Sequence, residues 1–213
     1  MSHDHPQTHN HHHQAQAQSH AHQASSLMTL EPVPSREELC NGLSNRQLVE
    51  RFRVGVERFD RRVFELDDSE LDTAFLPDAG VGRWPVRVLL GHLADAELAF
   101  VQRMRRVVAE ENPILQPWDE NAFIDSGMYG LGEKTGSNYP IGAFIAATHT
   151  LRQWTAQWLG TLNDQAFARV GLHTQRGEQS LRTILEYDTW HLEHHAYLLN
   201  KKIAKFRGAL VKA

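Results

Sequence analysis

The chain has 213 residues, 41% of them hydrophobic, and a formal net charge of −4. That length suffices for one domain with a buried core, and the mild acidity excludes the clustered basic surface that nucleic acid requires. One cysteine, Cys40, excludes an internal disulfide and a multi-cysteine metal site; with no secretory apolar region and no apolar run of about 18 residues, the chain is expected to be cytoplasmic and not membrane-bound.

Residues 1–36 form a separate region. Histidines stand at positions 3, 5, 9, 11, 12, 13, 20 and 22 among Gln, Ala and Ser. Nothing there repeats at a helical or strand period, and there is too little apolar surface to offset chain ordering. The expectation is a disordered His-rich tail, of the composition that takes up metal loosely whether or not that is its use. Residues 37–213 are expected to form the folded domain.

The first predicted helix is capped by Ser44, with Gln47 completing a capping box. Leu48, Phe52, Val56, Phe59, Val63 and Leu66 follow at three- and four-residue intervals, so one helix is predicted to end near Asp67 and Asp68. Pro77, Asp78, Gly80 and Gly82 mark a loop. The second helix opens at Trp84-Pro85 and carries Val88, Leu89, Leu93, Ala96, Phe100, Met104 and Val107 to about Glu110. The connection from Asn112 to Tyr139 is longer than ordinary loops, which predicts a short helix over Asp119–Asp125. The third helix runs from Pro140 to about Leu162. A second connection follows, with a short extended piece around Val170–His173. Ser180 caps the fourth helix, which reaches about Phe206. Four amphipathic helices without a convincing sheet predict an all-α four-helix bundle.

Chemistry concentrates in Trp190-His191-Leu192-Glu193-His194-His195. His191 and His195 are four apart, so they share one helical face, and two imidazoles at that spacing can hold one metal ion. They fall within the apolar stripe of Leu181, Ile184, Leu185, Leu192, Leu198 and Leu199, where an imidazole needs a hydrogen-bond partner or a metal. Leu192 stands where a zinc protease of the His-Glu-x-x-His type has its glutamate, so that reading loses its support. Periodicity leaves the third ligand open among His92, His149 and His173.

Trp84-Pro85 leading into Gly91-His92-Leu93-Ala94-Asp95 resembles the second-helix signature of the DinB superfamily, especially its YfiT-like branch. Pro117-Trp118-Asp119-Glu120 is similar to the Pro-Tyr-Asp-Glu segment of the loop that follows, and Trp190-His191 with His194-His195 resembles the Trp-His-x-x-His-His motif of the last helix. The resemblance spans residues 84–199 in the right order. It implies a four-helix bundle, a three-histidine site made of His92, His191 and His195 with His194 outward, and a homodimer. Trp118 departs from the usual tyrosine, and Asp188 occupies a position that is often aromatic.

Three neutral imidazoles leave coordination positions open, the arrangement of a catalytic metal. Zinc in such a site lowers the pKa of bound water toward about 7, giving a hydrolase; a low-molecular-weight thiol in the same position gives an S-transferase, as the resemblance allows. A non-catalytic metal-binding protein of the stress response is the third reading. Zinc and nickel both suit imidazole. Asp188, Asp95 and Glu120 are the candidate general bases or ligand-orienting carboxylates, and Arg83, Arg87 or Arg152 are candidates to hold the carboxylates of a thiol. The expected partner is a small-molecule substrate.

Overall fold

The computed structural model of the chain describes residues 31–130 and 139–208. The eight histidines expected in a tail lie outside the described residues.

Helix α1 spans Arg36–Cys40, and α2 spans Asn45–Arg53. Each begins with a capping box, Ser35 with Glu38 and Ser44 with Gln47, so two of the orphan N–H groups at each start are satisfied by side chains. The predicted first helix does not run on to Asp67. It ends at Arg53, continues as two 3₁₀ turns over Gly55–Arg58 and Arg61–Glu65, and is followed by the short α3, Asp68–Leu71. The cause lies in the packing. In a continuous helix the Phe52 carbonyl would accept from residue 56, but here it accepts from Arg152 Nη1 at 2.8 Å, and the Arg53 carbonyl accepts from Gln153 Nε2 at 3.2 Å. Gly55 lies so close to its neighbours that a Cβ would come within 2.7 Å of Arg152 Nη1 and 2.9 Å of a Leu192 methyl. The apolar residues beyond the break, Phe59, Val63 and Leu66, still reach the core.

The three long helices follow the periodicity closely. Helix α4 spans Val86–Ala109, α6 spans Ile141–Leu159 and α8 spans Leu181–Arg207, the last capped by Ser180 Oγ on the Thr183 N–H at 3.0 Å. Between α4 and α6 lies α5, Glu120–Asp125, where a short helix is predicted; the Asp119 carboxylate caps it at 3.1 Å. Helix α7 is the single turn Asp164–Phe167. Helices α2, α4, α6 and α8 make the all-α four-helix bundle.

A small sheet is added, of which only the extended piece at Val170–His173 is predicted. Strand β1 (Ile114–Leu115) runs parallel to β2 (Val170–His173), which pairs antiparallel with β3 (Gly177–Ser180). The strands are too short for alternation to show, and β1 earns its place only by pairing with residues far along the chain. No described helix is long and apolar enough to cross a membrane.

The core consists of two apolar clusters. One gathers Leu48, Phe52, Phe100, Met104, Ile184 and Leu185; the other gathers Phe59, Val63, Leu89, Leu93, Leu192 and Leu199. Between them α4, α6 and α8 contribute a polar layer. Arg152, fully buried, donates from Nε to Glu97 and from Nη2 to Asp188, each at 2.7 Å, and its guanidinium lies 4.3 Å from the centre of the Phe52 ring. Removing one partner of such a set leaves buried charge uncompensated. Arg152→Met should therefore lower the unfolding free energy by about 3–5 kcal/mol in urea titrations; a change below about 1 kcal/mol would show that the layer is dispensable.

Candidate metal centre

His92 reaches the bundle interior from the second turn of α4. Its position is set by its neighbour: Tyr129 packs so tightly on Gly91 that a Cβ there would lie 2.4 Å from the tyrosine ring. His191 and His195 approach from α8, one turn apart. One nitrogen from each of the three rings lies within 4.8 Å of the others, and the Nε2 atoms of His92 and His191 are 3.1 Å apart. Aromatic rings hold the imidazoles. Trp118 stacks on His92 with ring centres 5.3 Å apart, Trp84 stacks on His195 at 5.8 Å, and Phe100 meets His191 at 5.7 Å.

Burial penalises the charged imidazolium and pushes the His92 pKa down to about 4. Burial also holds His191 and His195 well below the usual range, and for both the charge on neighbouring imidazoles adds to it. All three rings are therefore neutral near pH 7, the form that donates a lone pair to a metal. Nδ1 of His92 and Nδ1 of His195 are buried and have no hydrogen-bond partner among the described residues. Three neutral imidazoles with one nitrogen each within 4.8 Å of the others fit a divalent transition metal.

The site opens into a cavity of about 260 Å³ walled by α4, the loop that follows it, the β2–β3 hairpin and α8. Of the three candidate carboxylates, only Glu120 lines it. Asp188 turns away to Arg152, and its carboxyl is pushed up to about 6 by burial. Asp95 lies beside Tyr129, its pKa also raised by burial. Neither donates to or accepts from a ligand imidazole. His149 is exposed on α6, beside a different cleft with Val56 and Phe59. His173 lines the cavity but stands outside the three-histidine group. His194 is not fully outward: it stacks on Trp190 at 5.2 Å and joins the cavity rim.

The arginines expected to meet a thiol's carboxylates are elsewhere. Arg87 is tied to Asp68 and Asp72, Arg152 is locked in the polar layer, and Arg83 lines a separate cleft with Lys202. Cys40 is buried in the core, where loss of hydration pushes its thiol pKa up, so the chain brings no thiolate to the cavity. The cavity holds Arg103 and Arg176 instead. Arg103 was legible in principle. It follows His92 by eleven residues, close to three full turns, and so shares its face. Arg176 was not, because the hairpin that presents it was not predicted.

The profile of the DinB superfamily matches residues 36–199. The chain belongs to the DinB superfamily. Among its relatives in the superfamily, YfiT of Bacillus subtilis is 33% identical over 131 residues, covering 61% of this chain and 67% of YfiT. A protein of Oceanobacillus iheyensis is 27% identical over 133 residues, covering 62% and 70%. Both carry the name "putative metal-dependent hydrolase". The solved structure of YfiT, described as a probable metal-dependent hydrolase with an unusual four-helix bundle topology, matches with a TM-score of 0.65 at 25% identity, covering 80% of this chain and 93% of YfiT.

The lowered histidine pKa values carry a linkage consequence. Below pH about 6.5 the unfolded chain binds a proton that folded His92 refuses until about 4, and His191 and His195 are shifted the same way, so stability falls as pH drops through that window. Glu97 and Asp188, whose pKa values are raised, act in the opposite direction. The difference between two chains isolates the histidine contribution: without metal, the chain should lose more stability between pH 7 and pH 4.5 than His92→Asn does, measured by urea unfolding with chelator present. Parallel pH profiles would show that His92 is not held neutral.

Proposed function

We propose that this chain is a metal-dependent hydrolase that uses one divalent ion, zinc or nickel, on His92, His191 and His195. The reading is carried by one observation: three neutral imidazoles converge on the wall of an open cavity that also presents a carboxylate, Glu120. The names of the relatives point the same way. A divalent ion held there would supply Lewis acidity, polarising a carbonyl and lowering the pKa of water.

The remaining roles fall to the chain. Glu120 is the group in the wall able to take a proton from attacking water and return it to the leaving group. Trp84 and Trp118 cover the imidazoles and limit water to the reacting side. Phe100, Tyr187 and Trp190 supply apolar contact for a substrate. The same centre suits an S-transferase that takes its thiol from solution. The presence of guanidinium groups in the wall favours that second reading, because such thiols commonly carry carboxylates.

After loading and dialysis, elemental analysis should find one more equivalent of zinc or nickel on the chain than on His191→Ala, with the N-terminal histidines common to both. Equal metal content would remove the basis of the reading. Glu120→Gln should keep that equivalent while lowering kcat on activated esters by about 10²–10⁴; an unchanged kcat would take Glu120 out of the proton transfer.

A further inference from the structure

Three arginines of the described chain are almost wholly buried: Arg87, Arg103 and Arg152, at 1%, 6% and 0% exposure. Arg87 holds two carboxylates, Asp68 and Asp72, and Arg152 holds two, Glu97 and Asp188. Arg103 holds none. Its one hydrogen bond among the described residues runs from Nη2 to the Gln116 carbonyl at 2.8 Å. A buried guanidinium without a counter-charge is costly, and its position in the cavity wall says where the counter-charge belongs.

A second guanidinium worsens the imbalance. Arg176, on the turn between β2 and β3, lines the same cavity, with its guanidinium 4.7 Å from the centre of the Tyr187 ring. It forms no ion pair among the described residues, and the burial of Arg103 together with the charge of Arg176 pushes the Arg103 pKa down. His173 lies in the same wall, its pKa lowered by burial and by both arginines. Glu120 is the carboxylate of the cavity and pairs with neither guanidinium. Two guanidiniums therefore share the pocket wall, and neither is paired with a carboxylate among the described residues.

We propose that Arg103 and Arg176 form an oxyanion subsite, which recognises a small substrate through a carboxylate or phosphate at the end remote from its reacting group. Guanidinium pairs suit such groups, because each presents a planar fork of donors to two oxygens. Phe100 sets the layout. Its ring centre lies 5.7 Å from the Arg103 guanidinium and 5.7 Å from the His191 ring, so the subsite and the histidines flank one aromatic side chain. A substrate lying along Phe100 presents its anion to the arginines and its reacting bond to the histidines. This assignment of the two ends rests on the metal-centre reading; the subsite itself does not.

The test is titration calorimetry on the full chain with chelator present at pH 8 and low salt, so that neither a metal nor a charged imidazole attracts the anion. The probes are propionate, inorganic phosphate and the neutral propionamide. Propionate or phosphate should bind, propionamide should not, and the tighter of the two anions names the chemistry of the substrate. Arg176→Gln alters an exposed turn, and Arg103→Lys keeps a charge while losing the fork; each should weaken the anion at least about tenfold, the scale of one charge-assisted hydrogen bond. The proposal is overturned if both variants bind the anions as the parent does, or if propionamide binds equally well. Zinc uptake by the same proteins separates the two readings. Anion binding without zinc uptake would retire the metal centre and keep the subsite, whereas zinc uptake without anion binding would do the reverse.

Discussion

Arg152 carries a positive charge into the middle of the bundle, where it meets Glu97 from α4, Asp188 from α8 and the Phe52 carbonyl from α2. Four helices are thereby tied at one level. A guanidinium offers donors in fixed directions, so each partner must arrive at a set height and rotation. This constraint explains features that otherwise look unrelated. It takes the carbonyl that would have extended α2, and it requires a glycine at residue 55. It also sets the phase of α8 at Asp188, one turn before His191. The positive charge of Arg152 is among the causes that keep His191 neutral.

Around that layer the metal centre is assembled from rigid and less regular parts. The imidazoles come from long helices, which hold geometry well. The walls that give the cavity its chemical character come from the return loop, with Trp118 and Glu120, and from the hairpin, with His173 and Arg176. Division of labour of this kind is common, with a helical scaffold placing the reacting groups and connecting segments shaping what can approach them.

The helices were readable because periodicity and caps act locally: Ser44 with Gln47, and Ser180, each cap where the residue types predict. The first helix was overextended because its apolar spacing survives in 3₁₀ turns, and only a contact from Arg152, 100 residues away, ends it. Of the site, the pair His191 and His195 is visible from four-residue spacing. His92 needed the family resemblance, since nothing local separates it from His149 or His173. Asp188 looked like a partner for the histidines because it shares their face; a buried arginine on another helix claims it instead. Arg176 escaped notice for the same reason, as the missing information is the pairing of distant segments, whereas Arg103 shares the face of His92 on one helix.

That distance has a consequence for how the protein is made. His92 and His191 are 99 residues apart, and the Trp190 indole donates to the Pro34 carbonyl across 156 residues at 3.0 Å. Contacts between such remote positions form late, because the intervening chain must first give up its freedom. During synthesis His92 waits on α4 without its partners until α8 has emerged and docked. Uptake of an ion by all three histidines thus reports a finished bundle rather than guiding its first steps, in contrast to small zinc domains that fold around their metal.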